Sequence, residues 1–420
     1  MIIALVAIFF IGYLLIAMES RIRINKAAVA LLMAILCWSL YYWGFGASSE
    51  NVSAFTHSLG ENSEILFFLL GAMVIVEVVD SNGGFDFFRE KLISKTKAGL
   101  LWKLTICTFF LSAVLDNMTT AIIMVTILDK LVSDKKDKLL YASMVIMAAN
   151  SGGAFSPIGD VTTIMLWVKG NISTFGVIRS LFLPSLVSVI VPAAIVTLFM
   201  KGKLSVPRKT PDGMDIHQRP ERRRRSILIF CLGVGGLLFV PAFRFLTGLP
   251  PFMGIMLVLA VLWMTQDVSE LLHKIDLSTI LFFLGILTTV SALAETGILK
   301  SAGAYFDRVS GSNPYLVTAA IGFLSAVVDN VPLVAGCMGM YDVAVSGANM
   351  GLYGIDGTFW ELLAYTGGIG GSMLIIGSAA GVVVMGLQNI SFGWYLRHFS
   401  WIACVGFLSG ILIYWLQSLI

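Results

Sequence analysis

The chain has 420 residues, of which 57% are hydrophobic and 13% charged, with mean hydropathy +0.89 and net charge +3. A soluble domain carries about 25% charged residues, so this composition excludes a soluble globular protein, and a balance so near neutrality gives no footing for a nucleic-acid partner. The apolar runs have helical length, which makes the chain an all-α integral membrane protein with membrane lipid as its surroundings.

In chain order the apolar segments cover 1–18, 27–46, 65–80, 104–128, 139–168, 177–200, 227–247, 252–266, 278–296, 314–341, 361–388 and 399–418. The first lacks a basic start and a small-residue cleavage site, and reads as a retained helix rather than a signal peptide. Orientation follows from the Lys and Arg residues of the links. Arg21, Arg23 and Lys26 put the first link in the cytoplasm. The link 47–64, with three glutamates and no Lys or Arg, faces out. The stretch 86–103, with Arg89, Lys91, Lys95, Lys97 and Lys103, returns to the cytoplasm.

Segment 104–128 breaks this alternation, because Lys130, Lys135, Lys136 and Lys138 follow it and both flanks are basic. Two half-length helices of roughly 12 residues, too short for a core of about 30 Å, satisfy both flanks if the chain turns at Asp116 and Asn117. The expectation is a re-entrant hairpin whose tip reaches the bilayer middle. Irregular backbone survives there only when buried in protein or facing a wet cavity. The link 201–226, with Arg222 to Arg225, is the most basic stretch and serves as a cytoplasmic orientation anchor.

The run Leu111-Ser112-Ala113-Val114-Leu115-Asp116-Asn117 returns as Leu324-Ser325-Ala326-Val327-Val328-Asp329-Asn330, half a chain later. Phe67-Phe68-Leu69-Leu70-Gly71 echoes Phe282-Phe283-Leu284-Gly285. The stretch from Asn150 to Asp160 occupies the place of Gly368 to Ser378. Three echoes in one order point to duplication: a first repeat over 1–200, the basic linker 201–226, and a second repeat over 227–420. Five crossings in the first half insert the second upside down, so its hairpin, 314–341, dips from outside. The acidic link 342–360 agrees with that side. About ten spanning helices result, with two hairpins, two broken helices and both termini outside the cell (inner) membrane.

Segments 139–168 and 361–388 are too long for plain crossings and are rich in Gly at their centres, with Pro157 in the first. Glycine and proline weaken helix interiors, so each is expected to unwind, the first over about 150–160. Unwound backbone frees carbonyls beside Ser151, Ser156, Asp160, Thr162 and Thr163, and in the second copy beside Ser372 and Ser378. Oxygen donors of this kind suit hard cations, and half-helix C-termini favour positive charge. Asp116, Asn117, Thr119 and Thr120 form one tip. Asp329 and Asn330 form the other, where Val331-Pro332 stands in place of the threonines. The polar supply is thus lopsided, and the primary cation site is expected at Asp116, Asn117 and the 150–163 break with its Asp160.

An ionised carboxylate inside a membrane chain is a functional hypothesis by default. The bland alternatives are that Asp116, Asp329 and Asp160 merely cap helices, that Glu77 and Asp80 meet water at a helix end, and that Ser112 and Ser325 pack. The histidines His57, His217, His273 and His398 all fall in links, so protons would be carried by carboxyl groups, since burial disfavours the charged form of an acid. Five scattered cysteines give neither a disulfide framework nor a thiolate site. No GxxxxGK[ST] loop occurs, so an ion gradient would drive transport and the chain is not an enzyme; no cofactor is expected.

Ser-Ala-Val-Leu-Asp-Asn-Met-Thr-Thr at 112–120, Asn-Ser-Gly-Gly-Ala-Phe-Ser-Pro-Ile-Gly-Asp-Val-Thr-Thr at 150–163 and Ser-Ala-Val-Val-Asp-Asn-Val-Pro-Leu at 325–333 resemble NhaD-type sodium/proton antiporters of the ion transporter superfamily. The resemblance implies Na⁺ or Li⁺ exchanged for H⁺, and ion binding by Asp116, Asn117, Asn150, Asp160, Thr162, Thr163, Ser325, Asp329 and Asn330. It also implies hairpins and broken helices that move as an elevator against the scaffold of a homodimer. The superfamily's dicarboxylate carriers read Ser-Asn-Thr at the tips, and Asp in place of Ser argues for a cation. The competing readings are an arsenite or oxyanion efflux carrier and a Na⁺-coupled organic-anion symporter. The first would hold its solute through thiols or cationic side chains, and the second in a cationic or hydroxyl-rich pocket between the tips; the cysteines are scattered singly, and no Lys or Arg is expected near either tip.

Overall fold

The computed structural model describes residues 1–18, 22, 24–85, 91–204, 220–265, 267–347 and 349–419. Arg21, Arg23, Arg89, His217 and most of the basic link 201–226 lie outside the described residues. Among the described residues the secondary structure is helical: α1 (Ile2–Ala17), α2 (Lys26–Phe45), α3 (Ser49–Ser81), α4 (Lys97–Ser112), α5 (Asn117–Leu131), α6 (Lys135–Ala154), α7 (Val161–Val168), α8 (Thr174–Phe199), α9 (Pro220–Thr247), α10 (Pro251–Thr265), α11 (Leu277–Glu295), α12 (Ile298–Ser310), α13 (Pro314–Ser325), α14 (Asn330–Met338), α15 (Met350–Tyr353), α16 (Thr358–Gly370), α17 (Ala379–Gln388), α18 (Phe392–His398) and α19 (Ser400–Gln417). Six of them, α2, α3, α8, α9, α11 and α19, are long and apolar enough to cross a membrane. The chain is a multi-pass membrane protein.

Three expectations need correction. The link 47–64 is helical, because Ser48 caps Asn51 N and starts α3 well before its apolar part; His57 therefore lies on a helix. The halves of the first hairpin run 16 and 15 residues rather than twelve, since the helices continue past the apolar run through Lys97 at one end and through Asp129 and Lys130 at the other. The chain turns at Ala113 to Asp116. The first broken helix stays helical through Ala154 and unwinds only between Phe155 and Asp160, so Asn150 remains on a helix.

The helices pack as two groups. In one, a frame, α2 lies on α11 and α10 on α3, with α1 on α2 and α9 on α10. In the other, a core, α4 and α13 lie on α6 and α16, and α8 lies on α19. The sequence echoes recur as matching contacts. A Cβ on Gly71 would sit 2.2 Å from Ile255, and one on Gly285 2.5 Å from the Ala30 backbone. Thus the glycine of each echo lets a frame helix approach the other half's partner. In the core, a Cβ on Gly152 would lie 2.1 Å from Phe109 O, and one on Gly370 2.4 Å from Gly322 O. Small residues at such crossings allow the close backbone approach that membrane packing exploits.

Candidate functional site

Each tip begins with an aspartate that caps its second half-helix, because the first N–H groups of a helix lack internal partners. Asp116 Oδ1 accepts from Thr119 N at 2.7 Å, and Oδ2 accepts from Thr119 Oγ1 at 2.5 Å. Asp329 Oδ1 accepts from Val331 N at 3.2 Å. Asp160 restarts the first broken helix in the same way, with Oδ1 accepting from Thr162 N at 2.9 Å and Thr162 Oγ1 at 2.8 Å. Ser378 does so in the second, accepting from Gly381 N at 3.1 Å.

These caps converge. Asn117 Nδ2 donates to Asp160 Oδ2 at 2.8 Å and approaches Asn150 Oδ1 at 3.1 Å. Asn150 Nδ2 in turn faces Ser372 Oγ at 2.9 Å and Ser378 Oγ at 3.0 Å. One polar chain therefore runs from the first tip, through the first break, to the second break. Asp160 is 1% exposed. A Cβ on Gly368 would lie 3.4 Å from Asp160 Oδ2, so the absence of a side chain there leaves room beside the carboxylate. Asp160 also lies within electrostatic range of Asp116 and Asp329. The C-terminal ends of α4, α6, α13 and α16 border the two breaks, and the negative end of a helix dipole favours a cation.

Asp116 opens onto a narrow cleft of about 60 Å³ between core and frame. Phe68, Leu69, Thr279 and Phe283 line its frame side, and Asn117 and Val161 its core side. The lining is apolar apart from a few oxygen and nitrogen groups, the usual character of a small-solute site.

The remaining residues fall into place around this centre. Ser112 Oγ donates to Ala149 O at 2.6 Å and Ser325 Oγ to Gly367 O at 2.7 Å, so both hydroxyls tie a hairpin to a broken helix. Ser151 Oγ accepts from Ser188 on α8. Ser156 Oγ accepts from Ile158 N, and Thr163 Oγ1 donates to Ala154 O. Thr120 Oγ1 is buried with no hydrogen-bond partner, and Asn330 is buried in the second tip. Glu77 sits at the far end of α3, 3.0 Å from Lys274, and Asp80 is exposed beyond it. Neither joins the centre.

One expectation fails outright. A cationic side chain does stand at a tip: Lys26 Nζ is 3.7 Å from Asp329 Oδ2. Lys26 opens α2, remote in sequence from the tip, and is brought there because α2 packs on α11 and α11 packs on α14 of the second tip. Sequence proximity to the tip was the wrong signal; the mark that could have found it is Pro332, which removes the donors that occupy Asp116 at the first tip.

The citrate transporter family model matches residues 13–357. The chain is similar to sodium/proton antiporter 2 of Arabidopsis thaliana, 42% identical over 97% of both chains, and to sodium/proton antiporter 1 of the same plant, 43% identical over 98% of this chain and 72% of that one. It is 30% identical to the Na⁺/H⁺ antiporter NhaD of Vibrio cholerae over 99% of this chain and 91% of the relative. On this footing, the chain belongs to the citrate transporter family and, within it, to the NhaD-type transporters of the ion transporter superfamily.

Proposed function

We propose that the chain is a secondary active Na⁺(Li⁺)/H⁺ antiporter that exchanges cytoplasmic sodium for external protons. The relatives' activity supports Na⁺/H⁺ antiport as the reaction. The observation that carries the finer reading is the contact between Asn117 and Asp160 at a buried junction beside Asp116. A carboxylate so enclosed must be neutralised, and a metal ion or a proton does this equally well. Mutually exclusive occupancy couples the two fluxes. Asp116, Asp160 and the oxygens of Asn117 and Thr162 are the donors for Na⁺.

In this reading the halves are inverted repeats with ten crossings, formed by the six long helices, α1, α10 and the two broken helices. The hairpins α4–α5 and α13–α14 are re-entrant, the termini lie outside the inner membrane, and the protein works as a homodimer. The core carries Asp116 and Asp160 past the frame in an elevator movement that alternates access. Three polar contacts that could exchange cross the frame–core boundary beside apolar packing: Lys169 with Glu61, Arg244 with Trp167 O, and Lys26 with Asp329.

An organic-anion or oxyanion carrier would need a cation free for its solute. Among the described residues the cation found at a tip, Lys26, faces a carboxylate, which favours the cation reading. Vesicles carrying the purified protein and an internal pH dye test it. Na⁺ addition should move protons in the wild type and not in Asp116→Asn. Na⁺-dependent uptake of an organic anion without proton movement would overturn it.

A further inference from the structure

The two tips differ in how their aspartates are satisfied. At the first, Thr119 supplies a backbone N–H to one oxygen of Asp116 and a hydroxyl to the other. At the second, the position equivalent to Thr119 is Pro332, which has neither N–H nor hydroxyl. Val331 N reaches Oδ1 of Asp329, and Oδ2 turns to Lys26.

Lys26 is well placed to hold it. Asn25 caps α2, accepting from Ala27 N at 2.8 Å, and bonds Ser278 at the start of α11 at 3.0 Å. The ammonium lies 4.5 Å from the centre of the buried Phe282 ring, a cation–π contact that steadies it without consuming its charge. Tyr13 of α1 approaches the Asp329 carbonyl at 3.5 Å. Three frame helices thus meet the second tip, and among the described residues the charge they set beside Asp329 is the Lys26 ammonium. At 3.7 Å the pair is in ionic contact but beyond hydrogen-bond length, so it can part when core and frame separate.

We infer that Lys26 is a resident counter-cation: in this conformation its ammonium stands at Asp329 where a metal ion would otherwise sit, so that only the first tip takes Na⁺. Lys26 is a positioning residue that acts through Asp329 and fixes the number of metal ions bound per chain. This rests on the ion-exchange reading above and goes beyond it, because the sequence repeat taken alone implies two equivalent carboxylates.

The test is equilibrium binding of radioactive Na⁺ to the purified full chain in detergent. Wild type and Lys26→Arg should bind one ion per chain. Lys26→Gln should bind two, the double variant Lys26→Gln/Asp329→Asn should return to one, and Lys26→Met, which keeps the stem over Phe282, should match Lys26→Gln if the glutamine variant does not fold. Two ions on the wild type, one ion on Lys26→Gln or Lys26→Met, or two on Lys26→Arg would each overturn the inference while leaving the exchange reading intact. A wild type that binds no Na⁺ would remove both.

Discussion

Asn117 Nδ2 stands 2.8 Å from Asp160 Oδ2, and this contact fastens the first hairpin tip to the point where the first broken helix resumes. The two residues belong to different elements and meet because α5 packs on α6 while Gly153 and Gly159 bring the break within reach of the tip: a Cβ on Gly159 would lie 2.3 Å from Ser112 O. Replacing Asn117 with Ala removes the donor and leaves a buried carboxylate oxygen without its partner, a loss of about 1–3 kcal/mol. The variant should melt at lower temperature and need about tenfold more Na⁺ for half-maximal exchange, which stopped-flow transport and thermal melts in detergent measure.

The matched glycines make a paired prediction. Gly152→Ala and Gly370→Ala each force a methyl group against backbone, at Phe109 and at Gly322. Backbone cannot give way as a side-chain end does, so each should cost about 1–3 kcal/mol, the ordinary penalty of overpacking. Gly235→Ala, with no atom within 4 Å of the added methyl, should leave the melting temperature nearly unchanged. Equal melts for all three variants would refute the close crossings.

Movement of core against frame can be trapped. Lys169 Nζ and Glu61 Oε2 are 2.9 Å apart across the boundary. In a background free of the native cysteines, Glu61→Cys with Lys169→Cys, joined by a short bifunctional reagent, should stop exchange. Each single-cysteine variant treated alike should keep it. Full exchange with the link in place would rule out relative motion there.

Asp134 offers a check that depends on pH and stays clear of the transport site. It caps α6, accepting from Lys136 N and Asp137 N, and those bonds hold its carboxyl below the ordinary carboxylate range. A lowered folded-state pKa means its stabilisation is present above the unfolded value and disappears as pH falls through the folded one. The wild type should therefore melt above Asp134→Ala at neutral pH, and the gap should close in acid. A gap that persists unchanged below the carboxylate range would deny the charged cap.

Much of this arrangement is readable along the chain, for particular reasons. The first hairpin announces itself because basic residues bracket an apolar run that cannot both cross and return. The first break announces itself through its glycines and Pro157, which weaken a helix interior, although Gly152 and Gly153 stay helical and the chain unwinds only from Phe155. Asp116, Asn117, Asn150 and Asp160 are polar where polarity is expensive, and the structure brings them together. What stays hidden is pairing between distant elements. Tyr13 and Asp329 are 316 positions apart, and Lys26 looks like an orientation charge because its partner is set by frame packing. Ser372 and Ser378 carry no charge to single them out, yet both face Asn150. The N-terminal extension of α3 is polar, and composition alone does not separate a solvated helix from a loop.

The most direct measurement is proton release on metal binding. Purified protein in weakly buffered detergent solution, with a pH dye, receives Na⁺ or Li⁺ as the chloride. If metal and proton compete for the carboxylates at the first tip and break, the wild type should acidify the solution and Asp160→Asn should release far less. Undiminished release from Asp160→Asn, or Na⁺ bound by the wild type with no proton set free, would contradict a shared site.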